Sequence, residues 1–167
     1  IKIYNYSLTQ NEVREKMHLI QNEGIAETGL IKYVQFNSMD AQSNNVYELV
    51  NGTAVTLPGN NVLLSSGAPV GKGIGFRKSI TAGGLHSFTG TGVNLYFSSN
   101  TGTVYPNGEL VVFRLKPLPS FLPDSANALH LDKYYIINNY GTNATFTALD
   151  SIQLSSVNLI DGYTAPS

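Results

Sequence analysis

The sequence has no cysteine, which excludes disulfide staples and thiolate metal sites. Charge is scarce as well. Asp, Glu, Lys and Arg make up 13% of 167 residues, about half the usual share, and the formal net charge is −1. Without a basic excess, binding to nucleic acid through phosphate neutralisation has no footing. No apolar run approaches the ~18 residues of a membrane span. The first residues do not read as a secretory leader. Low net charge with 42% hydrophobic residues argues against disorder. What takes the place of charge is neutral and polar: 17 Asn, 15 Ser and 13 Thr, with 16 Gly and 10 Tyr. A surface of this kind reads as extracellular. The length suits one domain, or one domain and a piece of another, and is enough to bury a core unaided.

One helix is legible. Thr9 and Glu12 form a capping box, with Leu8 and Val13 at the staple positions around it. Val13, Met17 and Ile20 repeat at four and three residues, and Gly24 is a plausible stop. The spacing predicts a helix from about Gln10 to Asn22, its stripe packed on the rest of the chain.

Elsewhere the period is two. Ile1 to Tyr6 alternates and reads as a strand opening at the first residue, which gives the expectation that the chain belongs to a larger architecture. Leu30 to Phe36, Val46 to Val50 and Thr53 to Leu57 follow, with Asn51-Gly52 as a turn and Asn61 to Ser65 as a shorter candidate. Residues 67–75 are Gly-rich and read as a joint. Beyond them come Phe76 to Thr81, His86 to Thr89, the Val93/Leu95/Phe97 face, the Val111/Phe113/Leu115 face, Tyr134 to Asn139, and Phe146, Ala148, Ile152 and Leu154. Asp150 breaks that last apolar face, as at an edge or bulge. Lys116 to Asp132, with three prolines, is long for a plain loop. Short strands between Gly, Asn and Pro turns, without βαβ alternation, predict an all-β fold with one short N-terminal helix. Its form is an antiparallel β-sandwich, jelly-roll or immunoglobulin-like.

Catalytic signals are thin. Gly71-Lys72-Gly73-Ile74-Gly75 matches neither phosphate-loop spacing, and no helix follows it. His18, His86 and His130 fall in separate segments, so no metal site is expected. No Gly-x-Ser-x-Gly elbow occurs. Glu109 and Asp150 are the one carboxylate pair worth naming for sugar hydrolysis. No catalytic residue and no cofactor is expected. Calcium is conceivable only at Asn37 to Asn45, where Asp40 is the sole carboxylate.

Tyrosine is the better signal. Tyr96, Tyr105, Tyr134, Tyr135 and Tyr140 fall on second-half strands or their turns. Exposed rings beside Asn and Thr suit ligand binding, sugars above all, and Tyr96, Tyr105, Tyr134 and Tyr140 are the candidates. A tyrosine that merely covers a sheet is the competing reading.

Two stretches resemble a known family. Ile1-Lys2-Ile3-Tyr4-Asn5-Tyr6-Ser7-Leu8-Thr9, followed by Glu12-Val13-Arg14, resembles the closing strand and helix of a laminin-G-type, concanavalin-like jelly roll, with Tyr6-Ser7 in place of the usual Arg-Ala. Residues 29–37, 65–71, 106–112 and 136–141 resemble the text that follows such a domain in large Bacteroidota proteins exported by the type 9 secretion system. The resemblance implies residues 1–28 as a strand and helix linking from a preceding domain, and 29–167 as a β-sandwich module with a joint near 67–75. It further implies a secreted or cell-surface setting, with neighbouring domains of the same polypeptide, glycans or other surface proteins as partners, and neither nucleic acid nor membrane insertion. Asp124-Ser125-Ala126 and Asp150-Ser151-Ile152 match the O-glycosylation motif of that group, at Ser125 and Ser151. The resemblance carries no activity of its own; the function expected from the whole reading is non-catalytic, adhesion or structural spacing, with a carbohydrate-binding module of a polysaccharide-acting enzyme as the alternative.

Overall fold

The computed structural model describes residues 1–22, 27–36, 44–59, 69–116 and 133–154. Among the described residues the fold is all-β with one short helix. The chain divides into two compact units: Ile1–Asn11 with Ile25–Pro69, and Glu12–Gly24 with Val70–Ser167.

Among the described residues the first unit holds four short strands. β1 (Lys2–Tyr4) pairs antiparallel with β3 (Leu30–Tyr33), and β4 (Asn45–Tyr47) with β5 (Ala54–Thr56). An antiparallel bridge between Val34 and Glu48 joins the two ladders, beside a 2.7 Å bond from Leu49 N to Tyr33 O. Glu48 is buried there. Its carboxylate accepts the backbone N–H groups of Tyr33 (2.8 Å), Val50 (2.7 Å) and Asn51 (2.8 Å), and the Asn51 side chain at 3.0 Å. Those donors, led by Tyr33, hold its carboxyl group at about 2. An acidic residue thus stands where a hydrophobic one would leave three backbone donors orphaned, two at the Asn51-Gly52 turn and one on β3. At the other end, Glu27 takes both the Lys2 ammonium and the Tyr4 hydroxyl. Burial pushes the Tyr33 phenol up to about 12, against the opposing bond from Gln35 and with the help of the Glu27 charge.

The second unit holds the helix and the longer strands. α1 (Gln10–Lys16), which begins in the first unit, opens directly after Thr9. A four-stranded sheet has the order β10 (Tyr134–Asn139), β9 (Gly108–Lys116), β6 (Gly71–Ile80), β2 (Leu19–Asn22). A three-stranded sheet has the order β11 (Leu149–Leu154), β8 (Val93–Phe97), β7 (Gly84–Phe88). All pairings are antiparallel except β2 with β6, which is parallel.

Alternation explains the core. Val93, Leu95 and Phe97 on β8 are at most 1% exposed. They share one buried cluster with Phe88, Ala148, Ile80, Leu110 and Val112, so side chains of both sheets meet in it. On β9 the intervening residues Val111, Phe113 and Leu115 turn to the opposite face and form a second cluster with Leu19. β9 is therefore buried on both sides. Thr91, itself buried, fixes the β7–β8 turn by donating to Phe88 O at 2.8 Å and accepting Val93 N at 3.1 Å. The abundant Asn and Thr act in the same way elsewhere. Asn143 donates to Tyr105 O at 2.7 Å, Asn139 to Asn143 O at 2.7 Å, and Asn107 to the Thr142 hydroxyl at 3.0 Å.

Several expectations are corrected. The helix ends at Lys16 instead of Asn22, because residues 19–22 pair with β6 and Leu19 enters the second cluster. Val13 and Met17 are about half exposed, at 47% and 52%, so the supposed stripe is not what packs. The β2–β6 pair is parallel, contrary to the expectation of purely antiparallel sheets. Residues 71–75 are the start of β6, and the division between units falls between Pro69 and Val70, within the Gly-rich 67–75 segment. The strands of residues 30–57 form their own unit instead of joining a sheet of the second half. Backbone pairing crosses residue 28 twice, β1 with β3 and β2 with β6. On β11, Ile152 and Leu154 are about half exposed, as suits an edge strand. Asp150 lies where the β11 register slips between Leu149 and Ser151, at that edge, as its misfit in the pattern suggested. Residues 61–65 and 117–132 lie outside the described residues.

Candidate functional site

The four candidate tyrosines do not form one platform. Tyr105 packs on the first cluster and donates its hydroxyl to Ser98 O at 2.8 Å. Tyr134 and Tyr140 pack on the second cluster, on the other side of the four-stranded sheet. Burial raises the Tyr134 phenol above its ordinary value. The Tyr140 hydroxyl donates to Met17 Sδ at 3.2 Å, and the Arg14 guanidinium lies 4.3 Å from its ring centre. Tyr96 alone is well exposed, at 41%, on the outward side of β8.

The carboxylate pair is separated in the same way. Glu109 opens β9 and is held by two guanidinium groups, Arg14 at 3.3 Å and Arg77 by a short contact. Arg77 also donates to Glu15 at 2.7 Å, and the two carboxylates hold its guanidinium above its ordinary value, Glu15 foremost. These four residues dock α1 on the four-stranded sheet, a task in which Glu109 is a structural acceptor. Asp150 is exposed on the edge of the other sheet. The close approach of α1 also explains Gly75. A Cβ there would lie 2.8 Å from Glu15 O and 2.8 Å from the Phe113 ring. Gly73 is likewise packed against the Arg114 carbonyl of β9.

The two histidines among the described residues stay in separate surroundings. His18 meets the Phe113 ring edge-on at 4.8 Å, and its Nε2 lies 3.0 Å from the Asn138 amide. His86 lies on β7, 3.1 Å from Ala82 O and edge-on to Phe97. Among the described residues no three His, Asp or Glu side chains are grouped to hold a metal ion, and no helix is long and apolar enough to cross a membrane. His130, Asp40 and Ser125 lie outside the described residues. Ser151 is exposed and paired with Tyr96.

Among the described residues, the outward face of the three-stranded sheet carries the exposed Tyr96. Tyr96 sits in its middle strand, with Leu85 opposite on β7 and Ser151 opposite on β11. One step along, Asn94 is flanked by Ser87 and Gln153 and donates to the Gln153 carbonyl at 3.2 Å. Leu85 is 59% exposed. Sequence reasoning missed Leu85, Ser87, Asn94 and Gln153; the alternation along β8 placed Asn94 beside Tyr96, but their neighbours depend on pairing between distant strands.

No protein-family description, no curated protein and no solved structure matches the chain.

Proposed function

We propose that the chain is a non-catalytic module of a secreted or cell-surface multidomain protein, acting in adhesion or as a structural spacer. Its second unit is read as a β-sandwich of jelly-roll or immunoglobulin-like type, because one buried cluster draws on both sheets. The laminin-G-type resemblance of residues 1–14, and of later segments to type 9 secretion substrates of Bacteroidota, supports the exported setting. A single observation favours adhesion over a passive spacer: the open outward face of β7, β8 and β11, with Tyr96 at its centre. A spacer needs no exposed aromatic ring on a sheet face. The same ring with its neighbouring amides favours the second reading, a carbohydrate-binding module of a polysaccharide-acting enzyme.

The test is adhesion under flow. Beads coated with the chain are passed over mucin, collagen, fibronectin and mixed plant and microbial polysaccharides. Retention above albumin-coated beads on at least one surface is expected. Retention on none would leave only the spacer role.

A further inference from the structure

We infer that the outward face of the three-stranded sheet binds a neutral glycan chain, one sugar ring stacking on Tyr96 and its hydroxyls meeting the Asn94–Gln153 amide pair. This rests on the reading of the chain as a binding module. The inward side chains of β8 are at most 1% exposed, so the intervening Asn94 and Tyr96 face outward. Side chains two apart on one strand stand about 7 Å from each other, and neighbouring strands about 4.8 Å. The face is therefore two short rows. One is Leu85–Tyr96–Ser151 and the other is Ser87–Asn94–Gln153. The first offers an aromatic ring extended by an aliphatic side chain. The second offers hydroxyl and amide groups, and the Asn94-to-Gln153 bond at 3.2 Å orders the two amides while using one donor and one acceptor.

Charge decides the class of ligand. None of the six side chains carries a formal charge. An acidic polysaccharide or a phosphorylated ligand would lose hydration here without gaining a counter-charge. A neutral sugar presents an apolar ring face and a rim of hydroxyls, which these two rows complement. A protein partner would need a broader apolar centre than Leu85 and Tyr96 provide.

Affinity electrophoresis of the whole chain tests this, in native gels containing mixed-linkage β-glucan, galactomannan, arabinoxylan or starch, with alginate and polygalacturonate as acidic counterparts. At least one neutral polysaccharide should retard the chain. Tyr96→Ala should weaken the apparent affinity about tenfold or more, whereas Tyr96→Phe should retain it, since stacking does not need the hydroxyl. Ser151→Glu, a charge added at an exposed edge position, should abolish retardation without removing a core contact. Tyr47→Ala, at a half-exposed tyrosine of the first unit, should leave it unchanged. Retardation by acidic polysaccharides alone, by none, or equally for the parent and both Tyr96→Ala and Ser151→Glu would overturn the inference. Beads that adhere while every neutral gel is silent would remove the glycan and leave adhesion standing.

Discussion

An alanine at position 75 would bring its Cβ to 2.8 Å from the Glu15 carbonyl oxygen and 2.8 Å from the Phe113 ring, where ordinary contact begins at 3.4 Å. Neither neighbour is the loose end of a flexible side chain. The helix must therefore rise by about half an ångström, or Phe113 must turn off its rotamer, and such overpacking costs ~1–3 kcal/mol. Lifting α1 also stretches the 2.7 Å bond between Arg77 and Glu15, a pair about one-third exposed and so contributing at most ~1 kcal/mol. Gly75→Ala should destabilise the second unit by about 2 kcal/mol. With a urea slope of ~2 kcal/mol per molar, the midpoint falls by about 1 M. The sign carries the test. Gly75 has no positive φ, so in a flexible joint the same change would stabilise by ~0.4–1 kcal/mol, by restricting the unfolded chain. The chain has no tryptophan, so unfolding is followed by far-UV circular dichroism. An unchanged or higher midpoint would refute the packing of α1 over β6. A double-mutant cycle with Glu15→Ala and Arg77→Ala adds a second check: their coupling of ~0.5–1 kcal/mol should disappear in the Gly75→Ala background.

The first unit should be acid-sensitive in a way traceable to Glu48. Its folded carboxyl group sits at about 2 against an ordinary 4.5, so acid protonates the unfolded chain first. Its contribution is complete above about 4.5 and is lost as pH falls toward about 2. Amide protection at Val50 and Asn51, with the intrinsic pH dependence of exchange divided out, should fall between pH 5 and pH 2.5 for this reason, and Glu48→Gln should flatten the dependence. Phe97→Ala removes a fully buried ring beside Phe146 and Tyr105, and should cost ~3–5 kcal/mol by urea unfolding. Tyr105→Phe deletes the donor to Ser98 O and should cost ~0.5–1.5 kcal/mol in the same assay.

What could be read from the sequence was whatever the local period determines. Val93, Leu95 and Phe97 announce one face of β8, and Val111, Phe113 and Leu115 one face of β9; the burial of Leu110 and Val112 on its other face came only with the partner sheet. The rest depends on partners far along the chain. Met17 and Ile20 continue the period of α1, yet residues 19–22 pair with β6, a choice no local window contains. Glycines carry no hydropathy signal, so the first half of β6 looked like a joint while Phe76 to Thr81 read as a strand, until its neighbours, α1 and β9, were in place. The tyrosines failed as a set for a related reason. Tyr134 and Tyr96 both lie on strands, but α1 and β2 accompany the sheet of one, while the outward face of the other stays open. Which faces are covered is a property of topology, and composition does not report it.

The parallel pairing of β2 and β6 has a consequence for the order of assembly. Between them run residues 23–70, most of the first unit. Closing a loop of that length through an unstructured chain costs about 3 kcal/mol in configurational entropy, beyond a constant. If the inserted segment has already folded onto β1, its two ends are no longer independent and that cost shrinks. Synthesis from the N-terminus presents β1, β3, β4 and β5 before β6 emerges, so the small unit is complete before β2 finds its partner. Deleting residues 25–69 would then slow the pairing of β2 with β6.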